Sequence, residues 1–133
     1  MKTKYLIITV LYAMFIFWLS IQPITQITPD WFPYQDKVFH ALMYGVLSTL
    51  ISVGMLRSEQ KYSNSTICYI SVGVPFVYGF FIEICQIFVP TRSFDWFDSL
   101  ANLIGSLMSV ILVMCFSFII SKLFVTEKNI PVG

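Results

Sequence analysis

Charged residues are scarce in this sequence. Of its 133 residues, 8 are lysine or arginine and 7 are aspartate or glutamate, so that only 11% of the chain is charged while 57% is apolar. A soluble domain carries about a quarter charged residues. The scarcity therefore favours lipid over water as the solvent of the chain. Nothing in the sequence separates two hydrophobic units, and we expect residues 1–133 to form one small domain.

Other absences narrow the function. A net charge of +1 and the lack of a basic cluster exclude nucleic acid as the expected partner. The cysteines Cys68, Cys85 and Cys115 all lie within apolar runs and are typical of small buried side chains, not of a disulfide set or a metal cluster. No nucleophile motif, P-loop or H-E-x-x-H sequence is present. The sequence alone therefore names no reaction.

Four long apolar runs dominate the chain. Crossing the hydrocarbon layer takes about 20 residues of helix, and the runs at about 5–22, 37–56, 66–89 and 98–121 qualify. They predict an all-α membrane protein with four transmembrane helices in a compact bundle, followed by a polar cytoplasmic tail at 122–133. The first run could instead be a signal peptide. We favour a retained helix, because the run is long and no A-x-A-like site follows it.

The cations predict the orientation of the helices. Cytoplasmic loops of membrane proteins carry an excess of lysine and arginine. With the N-terminus inside, the inner side holds Lys2, Lys4, Arg57, Lys61, Lys122 and Lys128, and the outer side holds Lys37 and Arg92. We therefore expect a multi-pass protein of the bacterial cytoplasmic membrane with both termini in the cytoplasm.

Polar residues gather near the outer side of this arrangement. At about 1.5 Å per residue, Glu83 lies roughly 8 Å, and His40 and Asn102 roughly 10 Å, outward from the middle of their helices. These levels fall inside the hydrocarbon boundary, about 15 Å from the midplane. Because polar side chains facing lipid are costly, we expect them to face one another or a wet cleft. The alternatives are an interhelical polar clamp for Glu83 and a satisfied core residue for His40.

The spacing of the polar residues supports shared faces. Lys37, His40 and Tyr44 lie on one face of a helix, as do Glu83 and Gln86. Asp98, Asn102, Gly105 and Ser109 form a further stripe, in which Gly105 and Ser109 allow close helix packing. Gly79 could let a neighbouring helix approach below Glu83. The candidate cationic partners of Glu83 are Arg92, His40 and Lys37.

The loop before the fourth run carries Arg92, Asp95 and Asp98. An arginine fork suits phosphate or carboxylate. The two aspartates could hold Arg92 or, with Asp36, have a structural role or bind a hard divalent cation. The alternative is a solvated turn in which Asp98 caps the following helix. No cofactor is required by the sequence, and a divalent cation is the one candidate.

Two stretches resemble the VanZ-like family of small bacterial membrane proteins. They are DKVFHALMYGVLSTL (Asp36 to Leu50) and EICQIFVPTRSFDWFDSLANLIGSLMS (Glu83 to Ser109). The family pattern D-K-x-x-H-x-x-x-Y, E-x-x-Q, P-x-R, D-x-x-D and N-x-x-G is matched throughout, and Ser109 replaces a glycine that the family often has. The resemblance covers about a third of the chain. It implies a cell-envelope protein, since the family's namesake is linked to lowered susceptibility to the glycopeptide teicoplanin.

Three functions are compatible with these observations. The first is binding of a membrane lipid or a lipid-linked cell-wall intermediate, with Lys37, Arg92, Gln86, Asn102 and Tyr44 as ligand-binding residues. The second is an enzyme acting on a phosphate-bearing or glycosidic lipid, with Glu83 and His40 as general acid and base. The third is a small proton-coupled transporter subunit. Polar residues thin out in the inner half and leave no evident path across, although a homo-oligomer could supply one.

Overall fold

The structure is a computed structural model that describes the backbone of residues 1–22 and 32–128 and the side chains of residues 1–22 and 32–123. Its helices are α1 (Thr3–Ser20), α2 (Gln35–Leu56), α3 (Asn64–Gln86) and α4 (Trp96–Lys128), and the described residues contain no β-strand. The all-α class is confirmed. Four helices, with α4 counted over Trp96–Leu123, are long and apolar enough to cross a membrane.

The third loop begins earlier in the structure than the predicted runs place it. The third helix ends at Gln86 and not at residue 89, and a turn follows in which the Val89 N–H donates to the Gln86 carbonyl and the Arg92 N–H to the Val89 carbonyl. Thr91 has a left-handed φ of 71°. Pro90 has no N–H with which to continue the helix. The chain therefore reverses sharply before α4.

The fourth helix begins earlier and ends later than predicted. Asp95 Oδ1 accepts a 2.8 Å hydrogen bond from the Phe97 N–H, which makes Asp95 the residue that caps the helix. The alternative in which Asp98 caps the helix is wrong, because Asp98 lies inside the first turn of α4. At the other end α4 continues to Lys128, so residues 122–128 of the predicted tail are helical.

Helix α2 contacts each of the other three helices. Its contact with α4 is close because small residues face each other: a Cβ added to Gly105 would overlap the backbone carbonyl of Ala41, and one added to Gly45 would lie 3.2 Å from the Gly105 carbonyl oxygen. Serine hydroxyl groups also form hydrogen bonds between the same two surfaces. Ser109 Oγ donates to the Gly45 carbonyl at 2.8 Å, and Ser48 Oγ donates to the Ser106 carbonyl at 3.2 Å.

Helix α1 lies at the periphery. Ile16 and Ser20 are its buried residues. Tyr12 Oη donates to the Met43 carbonyl at 3.2 Å, and Tyr78 Oη donates to the Ala13 carbonyl at 2.7 Å. The apolar core that α1 helps to cover consists of Ile16, Tyr44, Leu47, Ile51, Met55, Ile67 and Ile82. Most of the remaining apolar side chains of α1 and α4 point outward, as lipid-facing surfaces do.

Candidate functional site

The predicted polar residues of three helices meet at one end of the structure. This end, where α2 and α4 begin and α3 finishes, is called the polar end below. It contains Asp36, Lys37, His40, Tyr44, Glu83, Gln86, Arg92, Asp95, Asp98 and Asn102. Spacings of three and four residues place the α2 and α4 members on the faces that these helices turn towards each other.

Lys37 is surrounded by aspartates. Its Nζ lies 2.8 Å from Asp36 Oδ2 and 2.7 Å from Asp98 Oδ1, and it also pairs with Asp95 Oδ2. The hydrogen bond from Lys37 holds the pKa of the Asp95 carboxyl below its usual range. The alternative in which Asp95 and Asp98 hold Arg92 is therefore wrong. These two aspartates bind Lys37, whose position on α2 directs its ammonium group at them.

Glu83 is completely buried, with 0% of its surface exposed. Its Oε2 accepts a hydrogen bond from the Asp95 N–H at 3.2 Å. Its Oε1 lies 4.0 Å from His40 Nδ1 and has no hydrogen-bond partner among the described residues. Of the three cationic partners considered from the sequence, His40 is therefore the one that the structure brings to Glu83 within salt-bridge distance.

His40 lies between the acids of α3 and α4. Its Nδ1 is 3.1 Å from Asn102 Oδ1, and its Nε2 is 3.7 Å from Asp98 Oδ2. The ring is nearly parallel to that of Tyr44, at an interplanar angle of 4° and a centroid distance of 6.3 Å. The imidazole thus lies between polar groups and an aromatic ring. Each of its nitrogens has a carboxyl group within 4.0 Å, that of Glu83 at Nδ1 and that of Asp98 at Nε2.

Gly79 makes room for the innermost part of this cluster. A Cβ at this position would lie 2.5 Å from Asn102 Nδ2 and 2.8 Å from Tyr44 Cε1. The sequence predicted a close approach at Gly79, and the neighbours are the side chains of Asn102 and Tyr44. Both side chains are fully buried, and neither Tyr44 Oη nor Asn102 Nδ2 has a hydrogen-bond partner within the described part of the chain.

Gln86 and Arg92 are bound to the end of α1, away from His40. Gln86 Nε2 donates to the Ser20 carbonyl at 3.0 Å, and Arg92 Nε donates to the Gln22 carbonyl at 3.1 Å. Burial lowers the pKa of Arg92. No carboxylate of the described residues forms an ion pair with Arg92. Gln86 therefore joins α3 to α1, and the Gln22 carbonyl is the acceptor that Arg92 binds among the described residues.

Sequence reasoning missed a set of buried serines. Ser48, Ser52, Ser71 and Ser106 are 0% exposed. The signal was a spacing of four: His40, Tyr44, Ser48 and Ser52 follow one another on α2, as do Glu83, Gly79, Pro75 and Ser71 on α3. The prediction that polar residues thin out away from the polar end is therefore wrong for hydroxyl groups, because buried serines continue into the other half of α2 and α3.

Two sets of side chains bring three metal-ligand atoms within 4.8 Å of one another. One is His40, Glu83 and Asp98, and the other is Asp36, Asp95 and Asp98. The second set is the one expected from the sequence to hold a hard cation, but it contacts the Lys37 ammonium group. A divalent cation there would have to displace Lys37 or tolerate its charge.

The fold and the buried cluster together define a class. Four helices able to cross a membrane, with ionisable side chains buried between three of them, characterise a multi-pass helical membrane protein. Residues 5–120 match the VanZ/LLP1 family, and the chain belongs to this family. The resemblance identified from the sequence motifs is thereby confirmed. Neither a curated protein nor a solved structure matches the chain.

Proposed function

We propose that this protein lies in the bacterial cytoplasmic membrane as one domain, with both termini in the cytoplasm and the polar end beneath the outer headgroups. The distribution of cations supports this orientation. Arg57 and Lys61 follow α2 at the end opposite to Lys37 and Arg92, and Lys2 and Lys4 begin α1 at that same opposite end. An excess of cations is the usual mark of the cytoplasmic side.

We propose that the polar end binds the anionic headgroup of a lipid or of a lipid-linked cell-wall intermediate. The observation that carries this proposal is that Arg92 has no carboxylate partner among the described residues. Its Nε is used by the Gln22 carbonyl, no described carboxylate pairs with it, and it lies in the loop between α3 and α4, close to the expected headgroup layer. A guanidinium group whose terminal N–H donors bind no described acceptor is suited to bidentate contact with phosphate.

The roles of the other predicted ligand-binding residues change with the geometry. Lys37 is already neutralised by aspartates, so we assign the headgroup contact to Arg92. Gln86 fixes the end of α1 beside Arg92. Tyr44 and Asn102 lie deeper, where they shape the interior below the headgroup. An influence on glycopeptide susceptibility of the teicoplanin type would follow from altered headgroup chemistry, and this part of the proposal rests on family membership.

The test compares the two arginines of the chain. Purified protein in detergent is offered phosphatidylglycerol, a polyprenyl phosphate or phosphatidylcholine, and bound lipid is measured by native mass spectrometry. Loss of charge-assisted hydrogen bonds costs about 1.5–3 kcal/mol, so Arg92→Ala should weaken binding of the two anionic lipids by roughly 10- to 100-fold. Arg57→Ala, an exposed arginine at the other end, should bind as the wild type does. Equal affinities for Arg92→Ala and Arg57→Ala would refute the proposal.

A second candidate function, an enzyme acting on such a lipid, is favoured by the proximity of His40 and Glu83. A buried carboxyl group 4.0 Å from the only histidine of the chain is a suitable acid–base pair. In the same lipid panel, chemical conversion of a labelled lipid by the wild type and by Glu59→Gln, but not by Glu83→Gln, would indicate catalysis. Binding without conversion would leave headgroup recognition as the function.

A further inference from the structure

We infer that His40, Glu83 and Asp98 form a binding site for one divalent transition-metal ion. The three side chains come from α2, α3 and α4, so the ion would connect three helices. One imidazole and two carboxylates suit ions such as Zn²⁺ or Mn²⁺, because imidazole is a ligand that Mg²⁺ and Ca²⁺ rarely take. The inference does not depend on lipid binding.

The distances are compatible with a single ion. His40 Nε2 lies 3.7 Å from Asp98 Oδ2, and one ligand atom from each of the three residues lies within 4.8 Å of the other two. Metal–ligand bonds of about 2.0–2.2 Å place two ligands of one ion at most roughly 4.4 Å apart. Small side-chain movements would therefore bring all three atoms onto one ion.

Each of the three side chains has one polar atom held by the protein and one that faces the others. Glu83 Oε2 accepts from the Asp95 N–H at 3.2 Å, which leaves Oε1 towards His40. Asp98 Oδ1 lies 2.7 Å from Lys37 Nζ, which leaves Oδ2 towards His40 Nε2. His40 Nδ1 lies 3.1 Å from Asn102 Oδ1, which can accept a hydrogen bond from the Nδ1–H and so leave the lone pair on Nε2. Metal ligands are commonly oriented in this way by outer-shell partners.

An independent observation points to a missing cation. Glu83 Oε1 is buried, belongs to a side chain that is 0% exposed, and has no hydrogen-bond partner among the described residues. An isolated buried carboxylate is strongly unfavourable. The polar end also has four carboxyl groups, on Asp36, Glu83, Asp95 and Asp98, but only two described cationic side chains, on Lys37 and Arg92. One divalent ion beside Oε1 would balance the charge of Glu83 in its ionised form.

The alternative acidic set is less suitable. Asp36, Asp95 and Asp98 surround the Lys37 ammonium group, which takes the place of a cation among them. Asp98 belongs to both sets and can serve both, because Oδ1 faces Lys37 and Oδ2 faces His40. The metal ion and the ammonium group would then lie on opposite sides of one carboxylate.

The single histidine allows a direct test. Protein labelled with ¹⁵N-histidine, carrying no polyhistidine tag, is purified in detergent, stripped with a chelator and titrated with Zn²⁺ while the ring nitrogens of His40 are followed by NMR. We expect one Zn²⁺ per chain and a large shift of one ring nitrogen, with Mg²⁺ producing neither. A wild-type protein whose His40 signals do not respond to Zn²⁺ overturns the inference, and this result needs no variant to be folded.

Variants test the two carboxylate ligands and the outer-shell partner of His40. Asn102→Ala should weaken Zn²⁺ binding by about 10- to 100-fold, as loss of an outer-shell partner does. Glu83→Gln and Asp98→Asn should weaken it by more than that, whereas Glu59→Gln, which changes an exposed glutamate at the other end, should not. Unchanged Zn²⁺ affinity in folded Glu83→Gln or Asp98→Asn protein would overturn the assignment of these ligands.

Discussion

The contacts of α2 with α4 and with α1 are built differently. Between α2 and α4, Gly105 lies directly against the Ala41 carbonyl, and serine hydroxyls bind backbone carbonyls across the contact. Between α2 and α1, the neighbours of Gly54 are the side chains of Met1 and Tyr5. In lipid, helices associate by close packing and hydrogen bonds because the hydrophobic effect does not drive them together. The α2–α4 contact is therefore the rigid one that positions the polar end, whereas α1 packs against α2 through side chains that can adjust.

The largest expected effect is that of Gly105→Ala. The new Cβ would overlap the backbone carbonyl of Ala41, which cannot rotate aside as a side chain can. The helices would have to separate, and we expect a loss of about 3 kcal/mol in the free energy of unfolding. Gly54→Ala places its Cβ 2.7 Å from Met1 Sδ, a flexible chain end, and should cost less than about 1 kcal/mol. Unfolding in mixed detergent micelles measures both values.

Gly73 provides the matched control for these two glycines. It lies within α3, and a Cβ at this position would meet no atom within 4 Å. Gly73→Ala should leave stability unchanged or raise it by up to about 1 kcal/mol through helix propensity. A loss for Gly54→Ala as large as that for Gly105→Ala would show that the two contacts are equally rigid and would contradict the comparison.

A smaller effect is expected for Lys37→Met, which removes the ionic link between α2 and the start of α4. The Asp98 side chain is 13% exposed, so its carboxylate would be left largely buried without its cation. Removing one member of a buried ion pair costs about 3–5 kcal/mol, and we expect about 2 kcal/mol because Lys37 is 21% exposed. The same micelle unfolding measurement applies, with the exposed Lys61→Met as the control.

A double substitution separates charge from packing in this prediction. In Lys37→Met/Asp98→Asn, the unpaired carboxylate is gone, and part of the lost stability should return. If the double variant were less stable than Lys37→Met by the full cost of Asp98→Asn alone, the two residues would be energetically independent. The ion pair would then contribute nothing to the α2–α4 contact.

The sequence predicted the helices and most of the polar end, for physical reasons that also define its limits. Hydropathy determines which segments can cross a membrane, and the four-residue spacing of His40 and Tyr44 determines that they share a face. The partners of Lys37 depend on the turn that follows Gln86, where Pro90 and the left-handed Thr91 reverse the chain. Such a turn has no periodicity, so the pairing with Asp95 could not be predicted.

Buried serines show the other limit of sequence reasoning. A serine is small and nearly neutral in hydropathy, so Ser52 and Ser71 are indistinguishable from lipid-facing positions when each is considered alone. Their burial follows from which faces of α2 and α3 meet, and the contact between His40 and Glu83 fixes those faces. Continuing both helices in steps of four from that contact would have found the two serines.

The smallest expected effect concerns Asp95 and pH. Because the hydrogen bond from Lys37 lowers the pKa of Asp95 in the folded protein, the charged carboxyl stabilises the fold above its unfolded pKa of about 3.9. That stabilisation is lost as the pH falls through the lower, folded pKa.

Asp95→Asn keeps a capping side chain for α4 but removes the charge. It should be less stable than the wild type by under 1 kcal/mol at pH 7, since Asp95 is 36% exposed. The difference should shrink below about pH 4. In the Lys37→Met background it should be small at every pH, and the effect of Gly54→Ala should not vary with pH, because no ion pair of the described residues joins α1 to α2. A pH-dependent difference that survives without Lys37 would place the cause elsewhere than in the ionic link between α2 and α4.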